Sequence, residues 1–220
     1  PKSSSYSLGI KTTDFSAAIS GVDVVIHAAA RAHIMRDDVS DPLAEYRKVN
    51  VEGTLNLAYQ AVSAGVKRFI YISSIKVNGE CTSGLTPFTE AHAAAPEDSY
   101  GVSKKEAEDA LRILAQKTGL EVVIIRPALV YGPGVKANFL SLLKFSATSL
   151  PLPFGSVNNL RSMVYVGTLV DFIVRCIDQP QAANETFLVS DGDDLSLRSL
   201  IINIRSAMGR SHRLVPVPVW

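Results

Sequence analysis

Three observations predict an α/β fold built on a doubly wound parallel sheet. Short apolar runs rich in β-branched residues recur at 22–28, 68–72 and 121–126. Segments of helical periodicity, ten or more residues long, stand between them, the alternation that builds βαβ units. The runs are almost continuously apolar, as strands are when helices cover both faces of a parallel sheet.

In chain order, the run at 22–28 (Val-Asp-Val-Val-Ile-His-Ala) reads as a buried strand. Residues 42–64 follow as a helix, with Leu43, Tyr46, Val49, Leu57, Ala58 and Ala61 among its apolar positions and Gly65 as its stop. Residues 68–72 are the second strand. A loop containing Gly79, Gly84 and Pro87 leads to a helix over 100–116 that stops at Gly119, and a third strand at 121–126 is closed by Pro127. The texture changes after Gly132-Pro133-Gly134. A helix over 138–150, a short strand at 163–165, a helix through 176–178, a strand at 185–189 and a helix over 197–208 follow, with 214–219 as an edge strand or tail broken by prolines. This half reads as a smaller lobe laid against the first sheet.

Composition bounds the function. A chain of 220 residues suits one domain or one and a half, and 47% hydrophobic with 20% charged residues is globular. A net charge of +1 supplies no bulk field toward nucleic acid or an acidic membrane surface. Cys81 and Cys176 form no CxxC, and the four histidines have no metal-ligand spacing, so neither a metal site nor a disulfide scaffold is expected. Cysteine usage fits a reducing cytosol, and a cytoplasmic location is expected. No apolar run reaches the roughly 18 residues of a membrane span, and no secretory leader is visible.

Ligands of a doubly wound sheet sit at the carboxyl ends of its strands. Three clusters fall there: His27-Ala28-Ala29, Ser73-Ser74 and Arg126-Pro127. The next helix opens with Ser99-Tyr100-Gly101-Val102-Ser103-Lys104. Residues four apart share a helix face, so Tyr100 and Lys104 stand side by side. An ammonium beside a phenol favours the phenolate and is expected to lower the tyrosine pKa toward a useful range for proton transfer. His27, on an apolar strand, reads as a satisfied core histidine, and Cys81 as a packing or loop residue.

Five segments together resemble the extended short-chain dehydrogenase/reductase family, the NAD-dependent nucleotide-sugar epimerases and dehydratases. They are Val22-Asp23-Val24-Val25-Ile26-His27-Ala28-Ala29-Ala30, Asn50-Val51-Glu52-Gly53-Thr54-Leu55-Asn56-Leu57, Phe69-Ile70-Tyr71-Ile72-Ser73-Ser74, Tyr100-Gly101-Val102-Ser103-Lys104, and Arg126-Pro127-Ala128-Leu129-Val130-Tyr131-Gly132-Pro133. They occur in the family's order across roughly 8–190. Ser73-Ser74-Ile75-Lys76-Val77-Asn78-Gly79-Glu80 is similar to a bacterial subgroup associated with O-antigen and other polysaccharide sugars.

The resemblance implies a partial Rossmann-like NAD(P)-binding domain over 1–132. It implies a mainly substrate-binding α/β lobe over 133–220, with about 160–180 returning to the sheet. It implies that Tyr100 takes the proton of a sugar 4-hydroxyl as hydride leaves C4, that Lys104 tunes the tyrosine and binds the nicotinamide ribose, and that Ser74 holds the same sugar oxygen. It further implies cofactor contacts at Ala28, Ala29, Asn50, Ser73 and Pro127. Substrate contacts are implied at Lys76, Asn138, Phe139 and Arg161, the last toward a phosphate. A homodimer through the helices at 42–64 and 100–117 is the family's usual assembly.

Three departures qualify this reading. The strand and glycine-rich loop that open the family, which bind the pyrophosphate, are absent, and Leu8-Gly9-Ile10 stands where an adenine-contacting Asp-Ile is common. The chain is therefore expected to be a piece of a protein of roughly 300 residues, with the first βαβ unit missing and NAD the expected cofactor, NADP remaining open. Ile75-Lys76 replaces the Asp-Glu that dehydratases carry, which argues against loss of water from the sugar. Apolar residues at 128–129 stand where many epimerases have a substrate-binding Asn. The sequence supports a UDP-hexose or UDP-N-acetylhexosamine 4-epimerase first. An NAD(P)-dependent reductase or dehydrogenase of a UDP-4-keto-6-deoxy-N-acetylhexosamine stands second, and a redox-inactive dinucleotide-binding regulator third.

Overall fold

The computed structural model describes residues 12–32, 40–82 and 86–217. Leu8-Gly9-Ile10 and Gly84 lie outside them.

Two compact units divide the chain: 1–127 with 172–188, and 128–171 with 189–220. The first is built on a sheet of β1 (Val24–His27), β2 (Arg68–Ile72), β3 (Glu121–Pro127) and β7 (Thr186–Val189), in that order. β1 pairs parallel with β2 (His27 opposite Tyr71) and β2 parallel with β3 (Ile72 opposite Ile125). The expected parallel sheet is therefore present. Its central strands explain the continuous apolar runs. Phe69, Ile70, Tyr71, Val123 and Ile125 are all 0% exposed, so both faces of β2 and β3 are covered.

Small residues let the helices approach closely. Ala58 and Ala61 of α3 (Thr54–Ser63) and Ala107 of α4 (Ser99–Thr118) are fully buried against Phe69, Tyr71 and Ile124. α4 starts on an Asp98 cap and ends at Gly119, whose φ of 76° supplies the left-handed stop.

The expected single helix over 42–64 is three pieces. α2 (Pro42–Arg47) runs into a π-helical stretch (Lys48–Gly53) and then α3. A π turn widens the helix by a residue and re-aims side chains, commonly at functional sites. Here it buries Asn50 and Gly53. A short helix α1 (Ser16–Ile19) precedes β1.

The second unit contains β4 (Leu129–Tyr131) paired parallel with β6 (Met163–Tyr165), and β5 (Leu160–Arg161) paired antiparallel with β8 (Leu195–Ser196). Its helices are α5 (Ala137–Ser146) and α7 (Leu197–Ala207), and α6 (Val166–Asp178) starts in it. α5 stops four residues short of the expected 150. The Arg205 guanidinium, 1% exposed, takes the carbonyls of Ser146, Thr148 and Leu150, and those of Ser211 and Arg213. Residues 148–150 thus bond to a side chain instead of continuing the helix. Of the edge strand or tail expected at 214–219, residues 214–217 are described, and they hold one parallel bridge, Leu152 with Leu214.

Candidate functional site

The carboxyl ends of β1 and β2 carry the first unit's chemistry. β2 ends at Ile72, and Ser73 and Ser74 follow. Ser73, 3% exposed, is turned inward, its Oγ donating to Glu108 Oε1 at 2.6 Å. Ser74 is extended (φ −157°) and caps a 3₁₀ turn (Ile75–Val77), accepting from Lys76 N at 3.3 Å.

Tyr100 sits in the first turn of α4, where the Ser74 hydroxyl acts on its phenol and favours the phenolate. The Tyr46 ring meets the Tyr100 ring edge-on at 6.1 Å. Lys104, 2% exposed, lies one turn on; its Nζ donates to Ile72 O at 2.8 Å and stands 4.6 Å over the Tyr71 ring and 5.9 Å from the Tyr100 ring. Ser74, Tyr100 and Lys104 are thus gathered at one strand end.

The electrostatics correct the sequence expectation. Burial pushes Tyr100 up to about 12, with the Asp98 carboxylate adding to the rise, while the Ser74 hydroxyl and the Lys76 cation pull the other way. Burial brings Lys104 down to about 8, the Glu108 carboxylate partly opposing it. The expected lowering of Tyr100 by Lys104 is overturned. The ammonium is aimed at a carbonyl and at Tyr71, and loss of hydration outweighs charge at the phenol.

Behind the trio lies a buried network that sequence reading missed. Glu108, 0% exposed, accepts from Arg126 Nε (2.9 Å) and Nη2 (2.5 Å), from Arg112 Nη2 (3.0 Å) and from Ser73. Arg126 Nη1 also donates to Asn78 Oδ1 at 2.9 Å. The signal available was Glu108 four residues after Lys104, on the same helix face.

Asn50 is 1% exposed and its amide is engaged by the protein. Oδ1 accepts from Arg31 N at 2.8 Å, while Nδ2 donates to Arg31 O at 3.1 Å and to Ser103 Oγ at 2.9 Å. Ser103 Oγ donates to Tyr100 O at 2.8 Å. Asn50 therefore ties the loop after β1 to the turn of α4 that carries Tyr100. Ala28 and Ala29 in that loop are exposed. His27 is a core residue: its Nε2 lies 2.9 Å from Thr54 Oγ1, its ring stacks on Tyr71, and burial lowers its pKa to about 4. Pro127 is buried at the end of β3. Lys76 is bound by Glu80 and Asp98, each at 2.6 Å.

Asn138, Phe139 and Arg161 fall in the second unit. Asn138 is exposed in the first turn of α5, beside Phe139, which stacks on Tyr131 at 5.7 Å; Arg161 is exposed on β5.

Comparison with known proteins follows the same line. The NAD dependent epimerase/dehydratase family matches over residues 9–190. A UDP-glucose 4-epimerase of Vibrio cholerae is 53% identical, over 95% of this chain and 64% of its own length. The N-acetyl-α-D-glucosaminyl-diphospho-ditrans,octacis-undecaprenol 4-epimerase of Escherichia coli O157:H7 is 34% identical, over 91% of this chain and 59% of its own. Among solved structures, a dTDP-glucose 4,6-dehydratase of Streptomyces venezuelae with NAD and TYD bound superposes with a TM-score of 0.71 at 27% identity, over 92% of this chain and 63% of that one. The chain thus spans less than two thirds of the length of these relatives.

Proposed function

The chain belongs to the NAD-dependent epimerase/dehydratase family, and from that premise we propose that it is the catalytic part of a nucleotide-sugar 4-epimerase acting on a UDP-hexose or UDP-N-acetylhexosamine. The observation that carries this reading is the gathering of Ser74, Tyr100 and Lys104 at the end of β2, with Lys104 Nζ donating to Ile72 O.

The donor set suits a dinucleotide. A buried ammonium and a phenol can both donate to ribose hydroxyls, and exposed Ala28 and Ala29 leave the backbone after β1 open to close approach. When bound, NAD supplies the acceptor that takes hydride from sugar C4 and returns it. Tyr100 receives the proton of the 4-hydroxyl on its phenol oxygen and gives it back when the turned-over 4-keto sugar is reduced. Ser74 holds that oxygen within reach. Lys104, brought down to about 8 by burial, is held by Ile72 O with its Nζ 5.9 Å from the Tyr100 ring. With Tyr100 near 12 in the chain alone, further positive charge at this strand end is needed to make the phenolate accessible at neutral pH. Asn50 acts through the loop it ties down, and Ser73 through Glu108.

The resemblance argues against dehydration, since Ile75-Lys76 stands where dehydratases carry Asp-Glu, and the Lys76 ammonium is held by Glu80 and Asp98. By resemblance, Asn138 and Phe139 of the second unit are proposed to contact the uridine diphosphate and Arg161 a phosphate, which its forked donors suit. Supply of sugars for a surface polysaccharide is the proposed setting, and a homodimer through the helical segments 42–64 and 100–117 the proposed assembly. Exposed Tyr59 and Ile113 on those helices are apolar surface that such a face would cover.

The test is incubation of the full-length protein with UDP-galactose and with UDP-N-acetylgalactosamine, without added cofactor. Epimer formation is expected. Turnover only of a 4-keto sugar, with stoichiometric NAD(P)H, would overturn the epimerase reading in favour of a reductase.

A further inference from the structure

The mechanism above leaves unused a charge cluster beside the Ser74–Tyr100 pair. Lys76 Nζ lies 2.6 Å from Glu80 Oε1 and 2.6 Å from Asp98 Oδ2. The other oxygen of Asp98, Oδ1, accepts from Gly101 N at 2.6 Å and caps α4. Lys76 N donates to Ser74 Oγ at 3.3 Å. A short chain of bonds therefore runs from the Ser74 hydroxyl, through the 3₁₀ turn, to the cap of the helix that carries Tyr100. Two backbone links reinforce it: Ala95 N donates to Val77 O at 3.0 Å, and Glu80 N to Glu97 Oε1 at 3.3 Å. The approach is tight enough that a Cβ on Gly101 would meet Lys76 O at 2.8 Å.

We propose, on the basis of the 4-epimerase reading, that Lys76 and Asp98 are positioning residues whose ion pair clamps the 3₁₀ turn to the first turn of α4 and so sets how Ser74 faces Tyr100. The pair is partly exposed, at 31% and 41% of the side chains, so its value is geometric more than energetic. Its two members act on the phenol with opposite signs, Asp98 the more strongly. Asp98 pushes Tyr100 up and Lys76 pulls it down. The other groups facing Tyr100 are Lys104 on its own helix, Tyr46 of α2 and Tyr71 of β2. Loss of either clamp member leaves the other acting alone, with opposite sign on the phenol.

The test uses the full-length enzyme with NAD bound, in Lys76→Met, Asp98→Asn and Lys76→Arg variants. Asn still caps a helix, so Asp98→Asn breaks the ion pair without removing the cap. In Lys76→Met and Asp98→Asn, kcat should fall about tenfold with KM within about twofold, since a small misplacement of a reacting group is costly. The limb of the pH–rate profile that reports Tyr100 should move up in Lys76→Met and down in Asp98→Asn. Lys76→Arg, which keeps the pair, should recover kcat to within about threefold. If Lys76→Met fails to fold, Lys76→Gln takes its place. Unchanged kcat, or limbs that move together, would sink the clamp alone; so would a rise in KM without a fall in kcat, which would make Lys76 a substrate contact. A wild type inactive on every UDP-sugar would sink the epimerase reading first, and with it the purpose of the clamp.

Discussion

At the scale of single residues, burial decides the chemistry of the site more than proximity does. Tyr100 and Lys104 were legible from their spacing, because a four-residue interval on a helix needs no tertiary information. Their proton affinities were not, because those depend on what covers them. Replacing Tyr100 by Phe removes the proton relay and keeps the ring packed on Tyr46. We expect kcat for epimerisation to fall about 10²–10⁴-fold with the thermal midpoint nearly unchanged; activity within a few-fold of wild type would remove Tyr100 from the mechanism. Lys104 carries a linkage prediction. Its folded value near 8 lies below the ordinary 10.5. Between those values the unfolded chain binds more protons, so stability rises with pH across that window. Thermal melts of wild type and Lys104→Met from about pH 7 to about 10.5 should show their difference moving in favour of wild type as pH rises. A pH-independent difference would contradict the buried-cation picture.

At the scale of elements, the strands and α4 were readable because each is specified locally. β2 has its expected bounds, and α4 has an Asp cap at one end and a left-handed glycine at the other. The misses are elements defined by partners. β5 and β8 are two residues each and exist through their mutual pairing, and α5 stops early because Arg205 competes for the carbonyls beyond it. The 42–64 segment was read as one helix because apolar spacings of three and four do not reveal a change to i→i+5 bonding. Gly101 shows how closely elements meet. Gly101 lies in the first turn of α4, where Ala in place of Gly would gain at most the roughly 0.5–1 kcal/mol of a helix interior. Here the added Cβ would lie 2.8 Å from a backbone oxygen and 3.1 Å from Pro96 Cβ, so Gly101→Ala should cost about 1–3 kcal/mol in chemical denaturation. An increase in stability would mean that the 3₁₀ turn yields freely.

Across the first unit as a whole, the Glu108–Arg126 pair joins α4 to β3 and reaches Ser73, Asn78 and Arg112. The sequence places Glu108 on the helix face of Lys104 but not its three sets of donors, because those come together only when the sheet closes over it. Glu108→Gln leaves the Arg126 guanidinium without its counter-charge, and should lower unfolding free energy by about 3–5 kcal/mol, measured by denaturant titration. A loss under about 1 kcal/mol would mean the pair behaves as a surface ion pair. The π stretch at Lys48–Gly53 acts over the same distance, as a phase shift. Each residue of a regular helix advances the chain by about 100°. Deleting one residue there would restore ordinary helical bonding and remove the wide turn that buries Asn50 beside Ser103. Insertions and deletions in this segment should therefore be tolerated far less than substitutions. The segment works as a reading frame for the fold, in which the length of the chain carries information that no single side chain holds.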